Sequence, residues 1–181
     1  MPQLSVFLIT DNPLAEKLLN GVSLHQLALG EANSFCGANN GTLIEVSASE
    51  LLNQIKTSGA QIVVIHDALR PLVSAAQFQR AFDALNGVDA ARPTMAFTET
   101  IKSLDSEGRL DQTIDREKVR RLSGPEVIRF SAIDFGGIAS NWSVPLKAGA
   151  KTIEVSADPA SIRINNETEL SMMGAFLTLR K

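Results

Sequence analysis

One cysteine, Cys36, in 181 residues excludes an intramolecular disulfide framework and any metal site built from several cysteines, and it fits a reducing cytoplasm. Positive charge is not in excess. The 17 Lys and Arg against 20 Asp and Glu give a net charge of -3, without the broad basic field that generic nucleic-acid binding needs. Long hydrophobic runs are missing too: the apolar stretch at residues 4–9 falls far short of the ~20 residues that a membrane span takes. Residues 1–3 hold no positive charge of the kind that opens a signal peptide. Heptads, repeats, low-complexity tracts and linkers rich in Pro, Gly or Ser are absent as well. The sequence therefore predicts one cytoplasmic domain over residues 1–181, with neither nucleic acid nor membrane among its partners.

What is present is core material: 44% of residues are hydrophobic and 20% charged, enough for a globular domain. Residues 4–10 are a β-branched and aromatic run, and Asp11, Asn12 and Pro13 then open a helix with Leu14, Leu18 and Leu19 on one side. Residues 42–46 read as a second strand, with a capping box at Ser47 and Glu50 ahead of Leu51, Leu52 and Ile55. The continuous apolar run 62–65 reads as a strand buried on both faces, and a further capping box at Ser74 and Gln77 leads into Phe78, Phe82 and Leu85. Such alternation predicts an α/β fold with a mostly parallel sheet between helices. Residues 94–104 and 110–114, joined by Asp105, Ser106, Glu107 and Gly108, read as a protruding hairpin. Residues 152–155 and 161–164 read as strands, and Asn166 with Glu169 caps a last helix that presents Leu170, Met173, Phe176 and Leu177.

In open parallel sheets ligands sit beyond the carboxyl ends of the strands, which directs attention to His66, Asp67, Ala68, Leu69, Arg70 and Pro71. A carboxylate there suits a hard cation or a sugar hydroxyl, and an Arg fork matches phosphate oxygens. A turn-capping Asp with a surface Arg explains the same spacing. Elsewhere, Cys36 reads as an inert buried thiol, His25 as a surface or satisfied polar residue, and Trp142 as packing. The cluster Arg116, Lys118, Arg120 and Arg121, interleaved with Asp115 and Glu117 and lacking aromatic partners, reads as a solvated or phosphate-facing edge.

The segment Ile62-Val-Val-Ile-His-Asp-Ala-Leu-Arg-Pro-Leu-Val73 resembles the signature of the 2-C-methyl-D-erythritol 4-phosphate cytidylyltransferases. Three more segments resemble that family in its order: Thr98-Glu-Thr-Ile-Lys102, Thr113-Ile-Asp-Arg116 and Asp158-Pro-Ala-Ser-Ile-Arg-Ile164. The resemblance implies a nucleotidyltransferase-like, Rossmann-like three-layer fold and a dimer joined by a hairpin arm at residues 94–121. It implies a reaction in which methylerythritol phosphate attacks the α-phosphorus of CTP and releases pyrophosphate, with Mg²⁺ and cations neutralising charge. By the same resemblance Asp67 faces metal and substrate, Arg163 stands where the family has a catalytic lysine, and Arg70, Thr100 and Arg116 contact the acceptor. The last two would come from a neighbouring subunit.

The departures lie on the nucleotide side. Family members begin with a strand running into a Gly-rich loop that holds an Arg, followed by Pro-Lys-Gln. Between Met1 and Gly41 there is no Gly-x-Gly and no Pro-Lys, and Thr10-Asp-Asn-Pro13 comes after the first strand. That strand looks like the family's second unit or occupies the place of its first. Arg163 replaces Lys, Gly124-Pro-Glu126 replaces Thr-Pro-Gln, and an acidic segment becomes Ala139-Ser-Asn141. Loss of a loop and two cations is worth on the order of 8 kcal/mol of transition-state stabilisation by analogy with oxyanion donors, or roughly 10⁵-fold in rate. The sequence thus supports two expectations: a weak or inactive cytidylyltransferase, or a non-catalytic relative acting as a structural or regulatory partner.

Overall fold

The computed structural model describes residues 3–137 and 143–179. Trp142 and the segment 139–141 therefore lie outside the described residues. The chain runs β1 (Leu4–Ile9), a single 3-10 turn, β2 (Leu18–Leu19), β3 (Val22–Ser23), α1 (Leu24–Asn39), β4 (Thr42–Val46), α2 (Leu51–Thr57), β5 (Ile62–Asp67) and α3 (Ala75–Asp83). It continues with β6 (Ala90–Ala96), β7 (Ile101–Leu104), β8 (Leu110–Ile114), β9 (Arg120–Leu122), β10 (Glu126–Arg129), β11 (Thr152–Ser156) and α4 (Glu167–Leu179).

The main sheet has the order β11-β6-β10-β5-β1-β4, with β9 paired to β6. β1 is parallel to β4 and β5, and β11 to β6, whereas β10 is antiparallel to both its neighbours. The sheet is thus mostly parallel, as expected, and β5 is central. Alternate side chains split the core into layers. Phe7, Ile9, Val63 and Ile65 face α2 and the segment after β10, while Val6, Ile62 and Val64 face Ala32 and Phe35 of α1 and Phe78 and Ala81 of α3. A third cluster of Leu8, Leu24, Leu69, Ile164 and Met173 closes the carboxyl end of the strands beneath α4. No helix of the described residues is long and apolar enough to cross a membrane.

Several expected elements change. Asn12 does cap a turn, its side chain accepting the Leu14 N–H, but that turn stops at Glu16. Leu18 and Leu19 belong to a small ribbon instead of a helical face, because Asn20 and Gly21 adopt positive φ, 52° and 87°, the turn geometry that Asn-Gly favours. The long helix starts at Leu24 behind a complete capping box between Ser23 and Gln26. Ser74 caps α3 through the Gln77 N–H, but the Gln77 side chain leaves to bond elsewhere. The expected strand at 94–104 divides into β6 and β7, and residues 161–164 are not a strand. Asn166 caps α4 as expected, accepting the Glu169 N–H at 2.9 Å. β7 and β8 form a separate ribbon in which all five β8 residues are exposed.

Candidate functional site

β5 ends at Asp67, and a tight turn fixes the next three residues. The Arg70 N–H donates to the Asp67 carbonyl, the Leu69 N–H to Asp67 Oδ1 at 2.9 Å, and the Ala68 N–H to the Ile9 carbonyl of β1. Asp67 Oδ2 accepts Arg163 Nε at 2.7 Å, and the two side chains are only 11% and 19% exposed. A pair separated by 96 positions in sequence is thereby made at the carboxyl end of the central strand. Arg163 also donates to Asn165 Oδ1.

Arg70 spends its fork on backbone. Nη1 reaches the Ser161 carbonyl and Nη2 the Leu122 carbonyl, each at 2.9 Å. It thus ties the root of the hairpin to the segment that carries Arg163. Burial is the main reason its pKa falls to about 10; the Asp67 charge works against the fall, and the charges of Arg163 and Arg121 add to it.

Asp67 and Arg70 line a cavity with Ile9, Ile65, His66, Leu122, Gly124 and Glu126, enclosing about 20 Å³, room for one water-sized group. His66 is buried against Phe78, ring centroids 4.9 Å apart, and burial, reinforced by the Arg70 charge, lowers its pKa to about 3. Glu126, the first residue of β10, is 2% exposed, and its Oε2 lies 2.7 Å from Arg92 Nε of β6. Burial raises the carboxyl to about 7 although Arg92, Ser143 and the Val144 N–H favour its charged form. Gln77, with 0% exposure, donates to the Gly124 carbonyl and accepts the Asp158 N–H, both at 2.6 Å. Sequence reasoning directed attention to His66 in the segment after β5 but did not find Arg92 or Gln77 as parts of this region. Glu126 was marked by its position in the Gly-Pro-Glu segment.

Thr100 and Arg116 lie elsewhere in the chain. Both are exposed at the base of the β7–β8 ribbon, where Arg116 Nη1 donates to the Thr98 carbonyl at 2.7 Å. Neither lines the cavity of its own chain. Two minor expectations hold: Cys36 is buried and its thiol is pushed up to about 11 by burial, and His25 bonds Glu45 at 2.7 Å.

On the nucleotide side, β1 runs parallel between β4 and β5. It lies beside β5 with Ile9 level with Asp67, so residues 10–13 open next to the site. There the Thr10 N–H donates to the Val46 carbonyl, the Leu14 and Ala15 N–H groups to Asn12, and Asp11 accepts from the Ala48 N–H. The Thr10, Leu14 and Ala15 amides are thereby engaged within the protein and are not the donors that a phosphate cradle uses. The donor set does not fit a resident Mg²⁺ either. Both Asp67 oxygens are engaged, one by Arg163, and no three His, Cys, Asp or Glu residues converge among those described.

A mostly parallel sheet between helices, with a charged site beyond its central strands, defines a nucleotidyltransferase-like α/β domain. The fold matches 4-diphosphocytidyl-2C-methyl-D-erythritol synthase from Anaerococcus prevotii with a TM-score of 0.77 at 14% identity, over 98% of this chain and 99% of that one. It likewise matches 2-C-methyl-D-erythritol 4-phosphate cytidylyltransferase from Thermus thermophilus with a TM-score of 0.76 at 17% identity, over 97% and 99%. In sequence, residues 38–162 match the profile of 2-C-methyl-D-erythritol 4-phosphate cytidylyltransferase, IspD. The chain belongs to that family. The bifunctional enzyme IspD/IspF of Nitrobacter winogradskyi is 38% identical over 96 residues, and that of Rhodopseudomonas palustris strain BisB18 is 36% identical over 110. These stretches are 53% and 61% of this chain but only 24% and 28% of the relatives' length.

Proposed function

We propose that the protein is a cytidylyltransferase whose acceptor half is kept and whose nucleotide half is reduced. Its acceptor is 2-C-methyl-D-erythritol 4-phosphate, bound near Asp67 and Arg70, with Thr100 and Arg116 supplied by the hairpin arm of a second subunit. Its donor is CTP, which brings Mg²⁺ on its phosphates. An acceptor phosphate oxygen attacks the α-phosphorus, the bond to pyrophosphate breaks, and the charge that spreads over the phosphoryl oxygens is met by guanidinium groups. Transfer is slow or negligible because residues 10–14 offer no further cation and bring an acid, Asp11, to the nucleotide side.

The observation that carries this reading is the asymmetry between two sides of one site. Beyond β5 stand Asp67, Arg70 and Arg163, joined across the fold. Beyond β1 stands an acid, Asp11, and the Thr10, Leu14 and Ala15 N–H groups there are bonded within the protein. Titration calorimetry with methylerythritol phosphate and with Mg²⁺–CTP, then a turnover assay on the purified protein, tests both halves. Acceptor binding with poor CTP binding is the expected result. Product formation at ~1 per second or faster would refute the reduced nucleotide half, and failure to bind the acceptor would refute the other.

A further inference from the structure

Glu126 and Ile128 of β10 point to the same face of the sheet. On that face Val144, 1% exposed, packs in one cluster with Ile65 and Ile128, so the segment 143–147 is the cover over the Glu126 carboxyl. That cover is lightly held. The Asp134 N–H donates to the Pro145 carbonyl and the Lys147 N–H to the Ala132 carbonyl, each at 2.9 Å, beside a single bridge between Ile133 and Leu146.

One cation reaches the carboxyl beneath. Arg92 Nε of β6 lies 2.7 Å from Glu126 Oε2, and Arg92 Nη2 donates to Ser143 Oγ at 3.3 Å and to the Val144 carbonyl at 3.2 Å. Arg92 thus fastens carboxyl and cover together. Glu126 Oε1 is buried and has no hydrogen-bond partner among the described residues. The other ionisable groups near it are engaged elsewhere. Asp67 and Arg70, which line the same cavity, bond Arg163 and the Leu69 N–H, and two carbonyls, respectively. His66 follows Ile65, the register partner of Glu126, so its ring lies on the opposite face, against Phe78. Lys147, on the cover itself, donates to the Ser131 carbonyl.

The geometry points to a flap worked by a proton: residues 143–147 lie closed on the sheet while Glu126 is neutral and lift when it ionises, letting water bond Oε1 and enter the cavity beside Asp67. A buried carboxylate with one oxygen unbonded is costly even beside a cation, and water is the partner that the closed flap excludes. Burial accordingly lifts this carboxyl from 4.5 to about 7 against the pull of Arg92. The closed form therefore keeps a proton that a hydrated carboxyl releases. Closure is strongest below pH 4.5 and weakens as pH rises through 7, and an opening that returns the carboxyl to its ordinary value weakens closure about tenfold between pH 6 and pH 8.

Backbone hydrogen exchange of the full chain at pH 6, 7 and 8, each rate divided by the intrinsic rate at that pH, tests the flap through the Asp134 and Lys147 amides. Their protection should lie roughly tenfold or more below that of the β5 amides, as local opening requires, and should fall about tenfold from pH 6 to pH 8 in wild type. In Glu126→Gln, whose amide cannot ionise, it should stay level. The Glu126 side-chain carbonyl carbon, followed by NMR in the wild type, gives a check that needs no variant, and it should titrate near 7. Protection that stays level with pH in wild type, a fall that persists in Glu126→Gln, flap amides as protected as those of β5, or a carboxyl that titrates near 4.5 would each overturn the proposal.

Discussion

Replacing Glu126 by Gln changes one oxygen for an amide nitrogen in a side chain that is 2% exposed, and it removes a titration without removing volume. In the folded chain this carboxyl is raised from 4.5 to about 7, chiefly by burial. Between those values the folded state keeps a proton that the unfolded state has released, so stability contributed by Glu126 is full below pH 4.5 and is lost as pH rises through 7. The total is about 3 kcal/mol. His66 runs the other way: lowered from 6.5 to about 3, it contributes stability that grows as pH rises from 3 to 6.5, by about 5 kcal/mol. From pH 4.5 to 6.5 the two slopes cancel in the wild type. In Glu126→Gln only the His66 slope remains. The stability of the variant minus that of wild type should therefore start near zero at pH 4.5 and reach about 3 kcal/mol in the variant's favour at pH 7.5. Equilibrium urea unfolding, monitored by far-UV circular dichroism at one-unit steps of pH, measures that difference. A difference that stays level across the series, or that turns in favour of wild type as pH rises, would refute the assignment of a buried, proton-holding carboxyl at this position.

The contacts set two further outcomes. Gln77→Leu leaves the Gly124 carbonyl and the Asp158 N–H without their partner and should destabilise the chain by about 2 kcal/mol or more, whereas an unchanged urea midpoint would show that the amide does not bridge these turns. Leu104 and Leu110, 62% and 75% exposed on a two-stranded ribbon, are unstable in water without cover; the wild type should sediment as a dimer and the double Lys variant as a folded monomer, and a wild-type monomer at high concentration removes the arm from the proposal.

The parts of the fold that were legible in the sequence are those where one chemical signal suffices locally. A continuous apolar run ending in His-Asp-Ala-Leu-Arg-Pro places β5 and Asp67, because a strand buried on both faces has no polar position to blur it. β10 was not legible. Only Val127 and Ile128 are apolar, and its ends are charged residues, Glu126 buried and Arg129 half-buried, whose partners come from far along the chain: Arg92 for Glu126, and the Leu85 and Val88 carbonyls for Arg129. The β2–β3 ribbon was legible in principle from Asn20-Gly21, but Leu18 and Leu19 also fit a helical face opened at Pro13. At the site, the resemblance named Asp67 and Arg163 separately and did not foretell the ion pair between them. It could not show that Arg70 would bond two carbonyls, since main-chain acceptors leave no mark in a sequence.

The central place of β1 also bears on how the chain is made. All six of its residues are buried, none is charged, and one whole edge of it is covered by β5. During synthesis at ~5–20 residues per second, the roughly 60 residues from Ile9 to Asp67 take about 3–12 s to emerge. For that interval β1 is an uncharged, β-prone segment with at most β4 beside it, the composition that self-associates most readily. The nascent chain is accordingly most in need of a chaperone before β5 emerges, and a substitution that slows the docking of β5 would lower the yield of soluble protein even where the finished fold tolerates it.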